Sequence, residues 1–358
     1  RPHYHVTSTS IILYPKYEWM VSYWGLFFLG DFPVMVMPTY IYDFHAEKNL
    51  PPFPVVGADP DQGNYISESL AWYLNPLFSG TYSIGYAANK GLTGGAQANY
   101  LINDQNSGTV TLQGNVKDGP SGGVTHDLVF GNIVNDRSSS AFELFQVPQQ
   151  RQYELELSLS SREKVNYQQV SQLPEVHLRS RAGRTQFNDL KYDLDLGGGV
   201  IEEEGNTRLG FGSGWLRLYD DLPEMPLGLL TPSLLVDLTY YSDGTKWLKP
   251  SAAIDLAKVY SQNFQLTLGY QHYLLVRGNT PFLFQQYRFR AADRLSSSLL
   301  FKIGQTKGRV AASYFLDNWT PEDIDYTLFF ILHCYDLEVT YRSLRGEFLL
   351  SFSLGGTQ

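Results

Sequence analysis

The chain alternates apolar with polar or small residues over segments of about ten residues, and this period of two predicts β-strands. In Tyr153–Ser160, tyrosine and leucine alternate with glutamate and serine. The same alternation recurs near residues 110–117, 234–240, 264–271, 335–342 and 347–354. Gly, Asn, Asp, Ser and Pro separate these segments, as turn residues do. The pattern therefore predicts an all-β protein with many strands.

Two architectures fit this alternation. A soluble sandwich or barrel buries its apolar face, whereas a membrane barrel turns that face toward lipid. Three observations favour the membrane. Tyr and Phe often stand at strand ends, the segments are long enough to cross hydrocarbon when tilted, and the pattern runs from Tyr65 to Leu354, roughly 290 residues, more than one sandwich core holds.

A sheet in hydrocarbon must also close, because an open edge would leave backbone N–H and C=O groups unpaired. At about 14 or 15 residues per strand and turn, the chain predicts a transmembrane antiparallel β-barrel of roughly 20 strands. Such a barrel is too wide for its own side chains to fill, so the interior should be polar. A wide polar interior favours a transport function.

Composition and charge exclude several other classes. Aromatic residues make up 15% of the chain and charged residues 18%, and the net charge is −9 without a long basic run. Nucleic acid is therefore not an expected partner. Cys334 is the only cysteine, so an internal disulfide and a cysteine-rich metal site are both excluded. We expect neither a metal nor a cofactor, and no run of about 18 apolar residues predicts a membrane helix.

The first 62 residues differ from the rest. They hold eight of the 18 prolines, which predicts strands that are short, at an edge or ending. We expect residues 1–62 to be the last few strands of a small β domain plus a stiff linker, and residues 63–358 to be the barrel. The family resemblance given below implies that this domain is the C-terminal part of a periplasmic β-jellyroll. Three or four strands bury a face poorly by themselves, so the sequence is expected to begin inside a larger domain.

Several segments resemble, in order, those of a known family. They are Ile11–Pro15, the Pro-Val-x-x-x-Pro-x-Tyr strand at Pro33–Tyr40, Gly63–Tyr65, Asn75-Pro76, the Gly- and Tyr-rich hairpin Tyr82–Tyr100, and Cys334–Leu337 followed by Tyr341. Together they resemble LptD, the lipopolysaccharide-transport outer-membrane family that is also called the organic solvent tolerance family. The resemblance covers most of the chain, although each motif alone is weak.

The resemblance implies a transport function rather than an enzyme. In that family a periplasmic jellyroll receives lipopolysaccharide from a periplasmic bridge protein, and the barrel releases it sideways into the outer leaflet between the first and last strands. A lipoprotein plug commonly sits in the lumen. Members with a well-known disulfide pair carry four cysteines and this chain carries one, and its barrel is shorter than the largest ones. The plug could therefore be different or missing.

A lateral gate is expected where pairing is poor. The candidate first strand, Tyr65–Leu74, runs into Asn75-Pro76, where proline should end pairing early, although Pro76 could merely end the strand at a turn. The candidate last strand is Gly346–Leu354. The predicted gate residues are Tyr65, Ser67, Ser69, Trp72 and Pro76 in the first strand, and Phe348, Leu350 and Phe352 in the last.

An acyl-chain groove is expected in the jellyroll part. Val34 and Val36 share one strand face, and Met35 and Met37 share the other. Either face could line the groove, since methionine adapts to irregular apolar ligands. Ordinary core packing is the alternative for each of these residues.

Other candidate chemistry is weak. His3 and His5 are expected to be a surface pair rather than metal ligands, and Asp59 and Asp61 to be turn residues rather than half of a calcium loop. The spacing of Gly210, Gly212 and Gly214 matches no nucleotide-binding motif. We interpret these glycines as relief for crowded side chains within a barrel strand.

The alternatives to a lipid translocon are a passive outer-membrane porin and, less favoured, an outer-membrane lipid hydrolase. The hydrolase would need a base such as His126, His177, His272 or His333, but the sequence offers no way to choose its serine. The porin would need a folded-in loop with arginines opposite acids. The densest basic groups are Arg179, Arg181 and Arg184, and Arg288, Arg290 and Arg294. Alternation places Arg288 and Arg290 on the lumen face of one strand rather than on such a loop.

Overall fold

The computed structural model of the protein describes residues 4–16, 18–43, 53–134, 150–184, 190–204, 208–222, 225–287, 289–331 and 335–354. These described residues are all-β apart from one short helix. The described strands are β1 Tyr4–Thr7, β2 Ser10–Tyr14, β3 Trp19–Leu29, β4 Phe32–Asp43, β5 Val55–Asp59, β6 Gly63–Asn75, β7 Phe78–Ala87, β8 Gly91–Asn103, β9 Asn106–Asn115, β10 Gly119–Val134, β11 Gln150–Val165, β12 Gln168–Arg184, β13 Lys191–Glu203, β14 Arg208–Tyr219, β15 Leu229–Tyr241, β16 Lys246–Leu248, β17 Ser251–Ser261, β18 Phe264–Tyr273, β19 Arg277–Gly278, β20 Arg294–Ile303, β21 Thr306–Phe315, β22 Thr320–Ile331, β23 Tyr335–Arg342 and β24 Glu347–Leu354. The helix is α1, Leu283–Gln286. Within these ranges no helix is long and apolar enough to cross a bilayer.

Strands β5–β24 form a closed barrel in which neighbours in the chain are neighbours in the sheet. β15 also pairs directly with β17, and β18 with β20, so β16 and β19 are short additions to a ring of eighteen strands. The ring closes where β24 pairs with β5 in antiparallel register. The predicted fold class, an antiparallel β-barrel of roughly 20 strands, is confirmed. Closure satisfies the backbone groups that a sheet edge would leave unpaired.

The chain divides into two compact units. The first comprises residues 1–120, 303–308 and 326–358, and the second comprises residues 121–302 and 309–325. The first unit therefore holds the four N-terminal strands and the seam of the barrel. The second holds the three longest strands, β10–β12, together with α1.

The two faces of the wall in the second unit differ in chemistry. On one face Leu157 pairs with Val176 and Leu178 pairs with Leu196, and these four side chains are 40–48% exposed. The opposite face carries cross-linked acidic and basic side chains. A closed sheet brings neighbouring side chains together on its concave side, so the charged face is the inner one. Exposed rows of leucine are unfavourable in water and favourable in hydrocarbon, so this is the surface of a transmembrane barrel.

The N-terminal strands form one antiparallel sheet. β3 pairs along its length with β4, and its other edge pairs with β1 and β2. The prolines at positions 33 and 38 lie within β4, which has 12 residues and, in the described part of the chain, pairs only with β3. The expectation of short strands is wrong here and that of an edge strand is confirmed, because an edge strand needs only alternate N–H groups for its ladder. The described residues make a single sheet, so a jellyroll stays a prediction.

The barrel begins earlier than the sequence predicts. β5, Val55–Asp59, lies between β24 and β6 in the ring, so Tyr65–Leu74 belongs to the second strand rather than the first. The pattern missed β5 because five residues directly after a proline-rich stretch give too few alternations to identify a strand. The strand that faces the end of the barrel is therefore one hairpin upstream of the predicted one.

Replacing Leu196 with arginine should destabilise the barrel by about 2–4 kcal/mol, because a charge would enter hydrocarbon near the middle of β13. The measurement is the free energy of unfolding in urea of the protein folded into phospholipid vesicles. The control is Ser213→Arg on β14, whose position pairs with Gly197 on the inner face. A larger loss at Ser213 than at Leu196 would reverse the assignment of the two faces.

Candidate functional site

The closing seam of the barrel is a short ladder. β24 pairs with β5 at only three positions, Phe348 with Ala58, Leu349 with Gly57, and Leu350 with Val56. The ladder on the other side of β24, with β23, has eight residue pairs, and the ladder on the other side of β5, with β6, has five. The seam is therefore shorter than both of the ladders next to it.

A proline lies just beyond this seam. Continuing the antiparallel register from Leu350 and Val56 would bring Pro54 opposite Phe352. The described ladder ends before that position, and Pro54 has no N–H to donate to a neighbouring strand. The proline nearest the end of this ladder is therefore Pro54, which was not among the predicted gate residues.

The inner side of the seam is covered by an aromatic ring. Tyr65 of β6 pairs with Gly57, which in turn pairs with Leu349 of β24. A Cβ atom at Gly57 would overlap the Tyr65 ring and lie 2.7 Å from the carbonyl oxygen of Phe348. The Tyr65 ring can lie over β5 only because position 57 has no side chain.

The predicted first-strand gate residues are separated by the structure. Tyr65, Ser67 and Ser69 share the inner face of β6, whereas Ile66 on the outer face is 47% exposed. Among them Tyr65 and Ser67 lie opposite β5, at Gly57 and Val55. None of the three pairs with the last strand, because β5 intervenes.

Trp72 and Pro76 lie away from the seam. The Trp72 indole N–H donates to the carbonyl oxygen of Gln97 at 3.1 Å, and the ring packs against Phe78 and Tyr82. Pro76 lies in the turn after β6, whose ladder with β7 continues to Asn75. The alternative interpretation of Pro76 as the end of a strand at a turn is therefore confirmed, and its predicted role in early failure of pairing is wrong.

The last-strand residues lie at the seam as predicted. Phe348 and Leu350 pair with β5, and Phe352 lies beyond the end of the ladder. The Phe352 ring centroid is 6.3 Å from that of Phe53, and Phe53 is 5.2 Å from Phe27 of the N-terminal sheet. Aromatic contacts thus connect the core of that sheet to the part of β24 that lies beyond its ladder with β5.

The predicted groove residues of β4 divide between two environments. Met37 is 2% exposed and forms a core with Phe27 and Tyr40, against which Met35 packs. Val34 and Val36 face the other way, and Val36 pairs with the exposed Leu26. Core packing accounts for the two methionines, and the valine face remains as a candidate acyl-chain surface.

Sequence reasoning missed one residue near the seam. Glu68 lies on the outer face of β6, next in sequence to Ser67, which pairs with the first residue of β5. Both of its carboxylate oxygens are buried and neither has a hydrogen-bond partner in the described part of the chain. A glutamate in phase with Ile66 and Leu70 was the available signal, because charge on a lipid-facing position is costly.

The inner wall of the second unit carries an ion-pair network. The Arg179 guanidinium contacts Glu154 and Glu156 of β11, both at 2.6 Å, and Asp195 of β13 at 3.1 Å. His177 lies 2.7 Å from Asp195, and its other ring nitrogen is 2.6 Å from Glu175. Arg179 therefore lies on the wet face, as the sequence analysis expected for ordinary strand placement.

This network includes three carboxylates that could approach a metal ion. Ligand oxygens of Asp127, Glu154 and Glu156 lie within 4.8 Å of one another. The Arg179 guanidinium already bridges two of them, which satisfies their charge without an ion. Arg181 contacts Glu154 at 3.3 Å, and the Arg184 side chain lies outside the described residues.

The second arginine group is not on one strand. Arg290 lies in the segment between α1 and β20, so the expectation of two arginines on a strand face is wrong. The alternation there is interrupted because residues 274–293 fold back onto other strands. Arg290 pairs with Asp317 and Arg294 with Glu322, at 2.5 and 2.7 Å. Arg288 lies outside the described residues.

The remaining histidines have varied surroundings. His5 stacks on Phe28 with ring centroids 4.6 Å apart, and His126 pairs with Leu157 on the outer face. His272 lies 2.6 Å from Asp293, which also accepts a bond from Tyr270, and these two bonds lower the pKa of Asp293. His3 and His333 lie outside the described residues.

Two predicted motifs have clear explanations. Asp59 accepts hydrogen bonds from the backbone N–H groups of Asp61 and Gln62 at 2.8 and 2.6 Å, which confirms its role as a turn residue. The glycine motif of β14 does not relieve crowding. A Cβ atom at Gly212 would meet nothing within 4 Å, and at Gly210 and Gly214 only ordinary contacts.

Comparisons with known proteins give only distant likenesses. No protein-family model and no curated protein matches the chain. Similar solved structures include a bacterial polysaccharide outer-membrane secretin, with a TM-score of 0.36, 10% identity, and coverage of 84% of this chain and 95% of that chain. CdiB from Acinetobacter baumannii has a TM-score of 0.36 and 9% identity, with coverage of 84% of this chain and 58% of that chain. A loop-deletion mutant of OmpT, an outer-membrane protein of Vibrio cholerae, has a TM-score of 0.27 and 8% identity, with coverage of 84% of this chain and 97% of that chain. The fold assignment rests on the strand pairing described above.

Replacing Gly57 with valine should break the seam, because the new side chain would collide with the Tyr65 ring and the backbone of β24. The expected loss is about 1–3 kcal/mol in the free energy of unfolding, with faster hydrogen exchange of the β24 amides. Gly212→Val is the matched control and should change neither quantity, since space is open there. Equal effects of the two substitutions would contradict the close approach at the seam.

Proposed function

We propose that this protein is a lipopolysaccharide translocon of the outer membrane, related to LptD, that releases lipid sideways through the seam between β5 and β24. The observation that carries the proposal is the three-pair ladder at this seam. A backbone hydrogen bond contributes about 0.5–1.5 kcal/mol net, so this ladder of three pairs opens more readily than the eight-pair ladder on the other side of β24. An apolar outer surface supports placement in a membrane.

The N-terminal sheet supplies the start of the proposed route. Its exposed valine face, at Val34 and Val36, offers apolar surface for acyl chains. The aromatic contacts from Phe27 through Phe53 to Phe352 belong to the opposite, core side of the sheet, and they connect it to the part of β24 beyond its ladder with β5. The sheet therefore carries an exposed apolar face and contacts β24 at the end of the seam.

The proposed function requires specific binding partners. Lipopolysaccharide or a related lipid is the cargo, a periplasmic bridge protein would deliver it, and outer-membrane lipids would surround the barrel. The N-terminal part would lie in the periplasm. A lipoprotein plug is a further possible partner, and neither nucleic acid nor an enzymatic reaction has a role.

A passive channel is the second candidate, and the folded-back segment 274–293 is the observation that favours it. A folded-in loop with arginines opposite acids is the feature that the sequence analysis required of a porin, and Arg290 on this segment lies opposite Asp317. Arg290 and Arg294 are each paired with an acid on β21–β22 or its connecting turn. Paired guanidinium groups sort permeating anions poorly, so lipid transport remains the better-supported function.

Locking the seam should stop lipid transport. In a Cys334→Ser background, Val56→Cys with Leu350→Cys places two thiols at directly opposed positions of the β5–β24 ladder. We expect the oxidised variant to lose most delivery of newly made lipopolysaccharide to the cell surface, measured by surface labelling in cells that depend on this protein. Reduction should restore delivery, because the seam can open again.

The matched control keeps the same residue of β24. Val339→Cys with Leu350→Cys forms its disulfide across the β23–β24 ladder, on the other side of the same strand. This variant should deliver lipopolysaccharide normally in the oxidised state. Normal delivery by a fully oxidised seam variant would exclude lateral release between β5 and β24.

A further inference from the structure

The segment between β18 and β20 folds back onto the inner face of the second unit. Phe282, just before α1, is 1% exposed. It belongs to an apolar cluster with Val170, Ile201, Leu209 and Tyr241. Tyr241 follows the exposed, outer Tyr240 and therefore points inward, and Ile201 lies five residues after the outer Leu196, on the opposite face. The segment is thus fixed to the wall from inside.

A buried carboxylate holds the start of α1. Glu203 of β13 is 1% exposed, and its two oxygens accept the backbone N–H groups of Leu283 and Phe284 at 2.9 and 2.8 Å. These N–H groups have no partner within the helix, because they belong to its first turn. Charge-assisted bonds of this kind are stronger than neutral ones, so Glu203 is the main polar anchor.

A second polar anchor lies on β15. The hydroxyl oxygens of Tyr241 and Thr280 are 2.8 Å apart, and both contact the amide oxygen of Gln285. Tyr241 and Thr280 are each 0% exposed. A fully buried polar cluster with satisfied partners fixes one arrangement of the segment rather than many.

The segment reaches far along the wall. The Asn166 side chain, at the β11–β12 turn, donates to the carbonyl oxygen of Phe284 at 2.9 Å, and Tyr167 contacts Tyr287 with ring centroids 5.6 Å apart. β12 is five ladders from β18 in the ring. At about 4.8 Å per ladder this is about 24 Å along the wall, so the segment covers a wide stretch of the inner wall at this end of the second unit.

We propose that residues 279–287 are a built-in plug, held by Glu203 and Tyr241, that prevents water-soluble ions and small solutes from passing through the barrel. The plug occupies inner surface of β12–β15 at one end, so a separate plug protein has no access to that surface. This inference rests on contacts within the second unit and does not depend on the proposed lipid transport.

The test is the ion conductance of the purified full-length chain in planar phosphatidylcholine bilayers, with potassium chloride on both sides. The unaltered protein should show no steady conductance. Glu203→Gln should raise the conducting fraction of time by about tenfold or more, because an amide cannot accept both N–H groups. Glu202→Gln, which changes the adjacent exposed glutamate on the opposite face, is the matched control and should stay closed.

Two further variants keep the test informative if Glu203→Gln does not fold. Replacement of residues 279–287 by a glycine-serine linker of equal length should give a folded, steadily conducting barrel, with folding checked by heat-modifiable electrophoretic mobility. In a Cys334→Ser, Glu203→Gln background, Asn166→Cys with Phe284→Cys should be closed when oxidised and conducting when reduced.

Two results would overturn the plug. One is steady conductance of the unaltered chain, and the other is a folded linker variant that conducts no more than the unaltered chain. Lipopolysaccharide delivery is measured separately in the seam experiment. A conducting linker variant that still delivers lipopolysaccharide would support both proposals, and a conducting chain with a functional seam would overturn only the plug.

Discussion

Backbone pairing is the constraint on which this structure depends. In hydrocarbon every N–H and C=O group needs a partner within the protein, and a sheet meets that demand only by closing. The ring of β5–β24 closes with a ladder of three residue pairs, which is shorter than the ladders on either side of it. The strand that completes the barrel therefore separates more easily from β5 than from β23. The short closing ladder therefore connects the fold to the proposed transport.

The chemistry of the two wall faces follows from the same environment. Leucine and valine rows cover the outer face, and the network around Arg179 covers the inner one. Such charges would be expensive in lipid, and they are paired across three adjacent strands where water can also reach them. Glu68 departs from this rule, because it is a carboxylate on the outer face with buried and unpaired oxygens. Its position beside the start of β5 marks the region of the seam as chemically unusual.

The interior is not simply open. The segment before β20 fills part of it with buried contacts to Glu203 and Tyr241, which are ordinary core interactions placed inside a barrel. A lipid route along the outer and seam surfaces does not need an aqueous lumen. Closure against small solutes and release of a large amphipathic molecule are therefore compatible tasks for one chain.

The sequence by itself determined the all-β class, the closed barrel, its approximate strand number and the last strand, because period-two alternation is a local property of each segment. It also identified Phe348, Leu350 and Phe352 at the end of the barrel. Only the tertiary structure decided which strand they meet, since β5 is too short for its period to be recognised and pairing partners lie nearly 300 residues apart. The tertiary structure also decided that the β5–β24 ladder ends before Pro54, that Pro76 lies in a turn away from the seam, and that residues 279–287 turn inward. These features depend on contacts between distant segments, which no pattern along one strand encodes.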